Sequence, residues 1–267
     1  MKARPVLSAP NFALPPCLLL VLLASPFHPL HAQTPAAAPE VPDWSLPGSP
    51  THKQVPPPAG FHRASRNSDI PIGIFDGQSD VGGALVPGSS SYDAATGQYT
   101  INSAGYNIWY QRDELRFLWK KVSGDFSIAA DVTFPNANGF GDRAAVLMFR
   151  QSLDDDSKVV MVGQHSRTHG YTHLAYRPEK GAMMTNQYRL VDAPVSAKRI
   201  GIEKRGDTFA IFISLRGEPM HQVGTPVTVH FDDPYYVGIG FCSHLPATVD
   251  TALFSNVVFE NAAGKVH

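Results

Sequence analysis

The stretch Gly124-Asp125-Phe126-Ser127-Ile128-Ala129-Ala130-Asp131-Val132-Thr133-Phe134 decides the fold. Phe126, Ile128, Ala130, Val132 and Phe134 fall on one side of an extended chain, and Asp125, Ser127, Asp131 and Thr133 on the other. A period of two with a polar opposite face is the mark of a half-buried β-strand, because successive side chains point to opposite faces.

Working outward, the same period returns at Phe209, Ile211, Ile213 and Leu215, just after the turn pair Gly206-Asp207. Further strands are predicted over Tyr99–Ser103, Asn107–Tyr110, Leu115–Lys121, Arg143–Arg150, Lys158–His165 and Tyr171–Tyr176. Beyond these come Lys198–Lys204, Val227–Phe231, Tyr236–Ser243 and Thr251–Phe259. No segment carries a sustained helical stripe, and Gly, Asp, Asn and Pro mark the turns. Many short strands without intervening helices predict an all-β antiparallel sandwich or barrel rather than an α/β sheet. A long chain without disulfides favours two large packed sheets, as in a jelly roll. The chain has no fixed-period repeat of the propeller or solenoid kind.

The chain has 267 residues, 43% hydrophobic and 17% charged, with 22 Lys+Arg against 23 Asp+Glu. A nucleic-acid partner bound through a dominant basic field is excluded by that balance. Lys2 and Arg4 precede the apolar run Cys17–Ala24, which is shorter than the roughly 20 residues a membrane helix needs. Residues 1–32 therefore read as a signal peptide cleaved after Ala32, and the product as periplasmic or extracellular, with no integral membrane segment. Residues 33–60 are rich in Pro and Ala and read as an extended linker. Residues 61–267 form the remaining unit, one β domain. Cleavage removes Cys17 and leaves Cys242, so no intramolecular disulfide forms. Cys242 alternates with Ile239 and Phe241 and reads as a small buried hydrophobe.

The blocks Asp80-Val81-Gly82, PGSSSYD, QYTINSAGYNIW, ELRFLWKKVSGDFSIAADV, AAVLMFRQSLDDDSK and HLAYR stand in this order between Asp80 and Phe259. Together they resemble the regulation-of-enolase-like domain family of the concanavalin A-like lectin/glucanase superfamily. The resemblance implies a two-sheet antiparallel jelly roll, a fold shared by lectins, carbohydrate-binding modules, glycosidases and laminin G-like modules, so it leaves the activity open. One departure stands out: the family often has Gly-x-Asp-Ile-Trp where this chain has Gly105-Tyr106-Asn107-Ile108-Trp109.

The residues offer little for catalysis. A retaining glycosidase needs two carboxyl groups about 5 Å apart, and the E-x-D-x-E pattern that places them on one strand face is absent. Asp125 and Asp131 read as outer-face residues. A polysaccharide lyase would need a Tyr or His base with an Arg, Gln or Asn to neutralise a uronate, and Arg150, Gln164, His165, His173, Tyr176 and Arg177 are of the right types. Alternation places His165 with Gly163 and Met161, and His173 with Tyr171, Ala175 and Arg177; a hairpin would bring the two groups to one surface if its register allows. His165, His169 and His173 recur at intervals of four, which fits a hairpin with His169 in its loop better than a metal-binding helix face. The acidic runs Asp154-Asp155-Asp156 and Asp232-Asp233, with Asp80 and Asp250, are the candidates for a structural calcium, without EF-hand spacing and without a set that names itself. No other cofactor is expected.

For binding, the chain supplies aromatic faces (Trp109, Tyr110, Trp119, Tyr171, Tyr176, Tyr188, Tyr235, Tyr236) and planar polar groups (Arg150, Gln164, His165, His173, Arg177, His244). Trp109 is set apart by the polar stretch Gln111–Glu114 after it. Arg150 and Arg177 each end an apolar run, where an unpaired guanidinium would be costly; Asp154 and Glu179 are nearby acids. The expectation is a non-catalytic jelly roll that binds a carbohydrate or glycan polymer on one sheet face through Trp109, Arg150, His165, His173, Tyr176 and Arg177. An enzyme on the same sheet and a laminin G-like protein-interaction module are the alternatives.

Overall fold

In a computed structural model the described residues are 55–58, 60–166, 171–190, 196–262, 264 and 266. The leader expected over 1–32, most of the linker expected over 33–60, His169 and the Tyr188 side chain lie outside them. Two antiparallel sheets make up the structure. The first runs, in spatial order, β1 (Arg66–Ser68), β2 (Gly77–Val81), β7 (Leu115–Val122), β16 (Tyr235–Cys242), β9 (Ala144–Arg150), β10 (Val159–His165), β11 (Thr172–Arg177) and β12 (Thr185–Leu190). The second runs β15 (His221–Thr228), β14 (Thr208–Ser214), β13 (Arg199–Arg205), β8 (Phe126–Thr133), β17 (Asp250–Glu260), β4 (Gln98–Ser103) and β3 (Ser89–Asp93). A small hairpin, β5 (Ile108–Trp109) with β6 (Arg112–Asp113), stands apart from both. The all-β, two-sheet antiparallel sandwich expected from the alternation is what the chain forms, with no helix among the described residues and hence none that would cross a membrane.

The deciding stretch sits at the centre of the second sheet. Phe126, Ile128, Ala130 and Val132 of β8 turn inward and meet Leu147, Phe149, Val160, Val162, Val237 and Ile239 of the first sheet in one buried cluster. Burial of such side chains, worth about 1.5–3 kcal/mol each, is what holds the layers together in the absence of a disulfide. Where the strands differ from expectation the cause is local. The strand predicted over Val227–Phe231 lies earlier, at His221–Thr228, as a sheet edge that tolerates Pro226 because an edge residue has no ladder partner on one side.

The central strands β9 and β10 of the first sheet are buried on both faces. All seven residues of β9 and all seven of β10 are buried. Val146, Met148, Val159, Met161 and Ala175 form a second cluster on the outer face with Leu115, Phe117, Trp119 and Cys242. Two-sided burial explains why Ala144–Phe149 and Val159–Val162 read as continuous apolar runs rather than as alternation. Covering that face are the segment 104–114 with its β5–β6 hairpin, which contributes Ile108 and Trp109, and Met184 from the segment before β12.

Cys242 is 1% exposed within this second layer. Loss of hydration on burial pushes its thiol well above the ordinary cysteine value. The expected outcome is that Cys242 in the native chain stays unlabelled by a maleimide and becomes labelled only after unfolding in guanidinium, as read by peptide mass; labelling of the native chain within minutes would show that the covering layer opens.

Candidate functional site

Strand register sorts the outer face of the first sheet into two ends. At one end Cys242, Ala144 and His165 lie side by side across β16, β9 and β10. At the other end Tyr236, Arg150, Val159 and Arg177 form the corresponding row across β16, β9, β10 and β11. Six residues of strand separate Ala144 from Arg150, or roughly 20 Å at about 3.3 Å each. The hairpin reaches both ends, presenting Trp109 to one and Asp113 to the other.

The arginine end is closed. Arg150, Arg177 and Asp113 are each 0% exposed. Arg150 Nη1 donates to Asp113 Oδ2 at 2.6 Å, while Arg177 donates to the same oxygen at 3.0 Å and, through Nη2, to Oδ1 at 2.8 Å. Their remaining donors go to main-chain carbonyls: Arg150 to Ser152 and Asp154, Arg177 to Tyr110, Ser157 and Ala182. Burial alone would raise the Asp113 carboxyl, but the two guanidinium groups, Arg177 foremost, outweigh it and hold the carboxyl below the ordinary aspartate range. Arg150 and Arg177, expected on a ligand surface, are thus held in an internal ion triad, because a guanidinium facing an apolar sheet surface needs a buried carboxylate. The partner is neither Asp154 nor Glu179 as an acid but Asp113 from the hairpin.

Beside the triad a second set of charges extends toward the chain's N-terminal side. Arg112 bonds Glu114 at 2.8 Å and Asp155 at 3.0 Å, and Arg63 bonds Glu114 at 3.1 Å. His62 Nδ1 lies 2.9 Å from Asp155 Oδ1, with a carboxylate oxygen of Asp156 nearby, and these three are the described residues that bring ligand-type atoms together. A calcium shell takes six to eight oxygens. Here Asp155 already accepts from Arg112 and the Arg63 main chain, and Asp156 faces Lys180 at 3.5 Å. The other acids proposed from sequence are engaged as well: Asp80 by Arg116, Asp250 by Arg143, Asp232 by His230 and Asp233 by the Gly124 amide. Each of these acids has an ion-pair or hydrogen-bond partner within the chain.

The histidine end is open. A cavity of about 250 Å³ is lined by Asn107, Ile108 and Trp109 from the hairpin side, Asp142 and Ala144 at the start of β9, Met161 and His165 of β10, Tyr171 and His173 of β11, and His244 just past β16. Gly163 lies directly opposite His173, the register that the shared surface requires. With no side chain on Gly163, the imidazole of His173 lies across β10; a Cβ there would come within 2.7 Å of His173 Nε2. His165 Nδ1 is 2.8 Å from the Asp142 carbonyl, and since a carbonyl only accepts, that nitrogen carries a proton. The rings form a continuous array: Tyr171 stacks on His165 at 4.1 Å, His165 meets His173 at 5.1 Å, and Trp109 meets His173 edge-on at 6.2 Å. His244 has a positive φ of 66° and stacks on Phe140 at 5.3 Å. A non-glycine residue in that region costs about 1 kcal/mol or more, and such positions gather at functional sites.

Of the expected binding residues, then, Trp109, His165 and His173 come together in one cavity. Tyr176 does not join them. Its position in β11 turns it to the other face, where it packs against the inter-sheet core. Gln164 points the same way and donates to the Ala197 carbonyl at 2.7 Å. Trp119, 6% exposed, is part of the second buried layer and gives its indole N–H to Ser79. Asp142, Ile108 and Met161 were not singled out from sequence. Asn107, noted there only as a departure from a family pattern, lines the cavity.

No family model matches the chain, and neither does any curated protein. Solved structures that it resembles include a functionally unknown protein from Saccharomyces cerevisiae, 16% identical over 66% of this chain and 93% of that one, with a TM-score of 0.51. Another is the GH43 protein BlXynB from Bacillus licheniformis, 10% identical over 64% of this chain, with a TM-score of 0.50; the matched part is 34% of that protein's length. A carbohydrate-binding module from Bacillus subtilis is 17% identical over 65% of this chain and 92% of that one, with a TM-score of 0.40. At such identities the likeness to the first two is one of fold alone and leaves the activity open.

Proposed function

We propose that this protein is an exported, non-catalytic glycan-binding jelly roll of the regulation-of-enolase-like kind, and that it seats a sugar in the cavity between Trp109, His165, Tyr171 and His173. The observation that carries this reading is the composition of the lining. Flat aromatic and imidazole faces suit the C–H surfaces of a sugar, and Asn107, Asp142 and the imidazole nitrogens suit its hydroxyl groups. The volume of about 250 Å³ falls just below that of small-molecule pockets, roughly 300–1,000 Å³, so it suits one ring, such as a chain end, better than an extended polymer.

The same lining argues against catalysis. Among the described residues it contains one carboxylate, Asp142, where glycoside hydrolysis by acid and base needs two. The arginines that would neutralise a uronate in a lyase are engaged by Asp113, and Arg177 lies four residues beyond His173 along β11, roughly 13 Å at about 3.3 Å per residue.

The test is a glycan array probed with the full chain, followed by Trp109→Ala on any hit. The expected result is retention of glycans through a terminal residue, weakened roughly tenfold or more by the substitution, as for a central aromatic contact. An array with no glycan retained at high protein concentration would sink the reading, and so would release of reducing ends or unsaturated uronates from a polysaccharide panel.

A further inference from the structure

We infer that the site continues past the cavity onto Phe140, so that the ligand is a glycan of at least two sugar residues, the second lying across the Phe140 ring; this rests on the glycan reading above. Phe140 is 40% exposed. Its ring stacks on that of His244, with centroids 5.3 Å and planes 13° apart, and His244 lines the cavity. Phe140 therefore stands one ring beyond the cavity wall. A cavity of about 250 Å³ suits one sugar ring, so a longer glycan has to leave it, and a chain that leaves past His244 meets Phe140 next.

A lone exposed aromatic is ordinary on a protein surface. What distinguishes Phe140 is how firmly its loop is tied. The Phe140 carbonyl accepts from the Arg143 amide at 3.1 Å and from Ser166 Oγ at 3.3 Å. The Asn136 carbonyl accepts from the Gly139 amide at 3.3 Å and from Arg143 Nη2 at 2.5 Å, while Arg143 Nη1 closes on Asp250 at 2.6 Å. Gly139 lies so close over that ion pair that a Cβ there would overlap both Arg143 and Asp250. The backbone on either side of the ring is thus fixed, and His244 supports the ring itself. An aromatic face that is ordered before binding gives up little freedom when a sugar settles on it, so more of the C–H contact is left as affinity. The contact is apolar and calls on no charge in the cavity.

The experiment titrates the full chain with the monosaccharide and the β-1,4-linked disaccharide of glucose, mannose and N-acetylglucosamine. For a sugar that binds, the expected result is a disaccharide held roughly tenfold tighter than its monosaccharide, the scale of one added aromatic contact. Phe140→Ala should bring the two to within about threefold of each other and leave the monosaccharide within about threefold of the parent. Phe140→Tyr should keep the parent's ratio, because the platform is the ring. Equal binding of monosaccharide and disaccharide by the parent overturns the inference and leaves the glycan reading standing. A parent-like ratio in Phe140→Ala places the second residue elsewhere and overturns it too. Equal weakening of both sugars in Phe140→Ala would mean that Phe140 acts only by supporting His244, and overturns it as well. Binding of none of these sugars has the same consequence, and joined to an empty array it removes the glycan reading with it.

Discussion

Replacing Asp113 with alanine is expected to lower the free energy of unfolding by about 3–5 kcal/mol, the cost of breaking a buried ion pair from one side. The change leaves Arg150 and Arg177, both at 0% exposure, with main-chain carbonyls and Met148 Sδ as their hydrogen-bond partners and no carboxylate bonded to either. Removing all three charges together by Asp113→Leu, Arg150→Met and Arg177→Met should cost far less than the single change, since an apolar set of similar volume avoids desolvating any ion. Urea unfolding of both variants provides the comparison. A single-variant loss below about 1 kcal/mol would mean that water or another acid reaches the arginines.

The same triad sets a direction for acid sensitivity. Asp113 has a lowered carboxyl pKa in the folded chain, so its contribution is complete above the ordinary aspartate value of about 3.9 and is lost as pH falls toward the native value. In Asp113→Ala that part of the acid-side loss should vanish, and the stability curve should be flatter below about pH 4.

The triad also explains why the glycan reading concerns a cavity and not an open sheet. Asp113 fastens one end of the β5–β6 hairpin, and Tyr110, at its turn with a positive φ of 57°, has its carbonyl held by Arg177 and by the Met184 amide. The hairpin is thereby kept on the outer face of the first sheet, and Trp109, one residue before the turn, is delivered to the far end beside His173. The buried charges position the site without belonging to it.

How far this arrangement was legible in the sequence can be followed residue by residue. Alternation in Phe126–Phe134 located a strand facing the core, because β8 has an apolar layer on its inner side and polar side chains on the other. The pairing of His165 and His173 was readable as far as a shared face, and Gly163↔His173 is the register that joins them. Arg150 and Arg177 were misplaced for a physical reason. An arginine ending an apolar run looks the same in sequence whether it reaches solvent or a buried acid, and the acid here comes from 37 and 64 residues away. The continuous apolar run of β9 is the sequence mark of a strand covered on both faces, and at its Arg150 end the cover is the hairpin that carries Asp113. Asp142 carried no signal at all. It is one acid in a Gly-rich loop, and only the closure of β9 against β10 brings it to His165.

Gly163→Ala is expected to weaken glycan binding by roughly tenfold while leaving unfolding within about 1 kcal/mol of the parent. Gly163 is not among the residues with a positive φ, so alanine meets no backbone strain there and trims the entropy that glycine loses on folding, worth about 0.5–1 kcal/mol. The new Cβ would lie 2.7 Å from Nε2 and 3.1 Å from Cε1 of His173. The clash falls on the far end of a rotatable side chain, so the imidazole swings off β10, and the ring array from Tyr171 to Trp109 is broken at its middle member. Because the alanine acts through His173, its effect should not add to that of His173→Ala: the double variant should bind no worse than His173→Ala alone, within about 0.5 kcal/mol. Calorimetric titration of the parent, both single variants and the double variant gives the cycle. Additive losses would show that Gly163 affects the cavity by some route other than this ring, and parent-like binding by Gly163→Ala would show that the place of His173 in the cavity is not what the sugar reads.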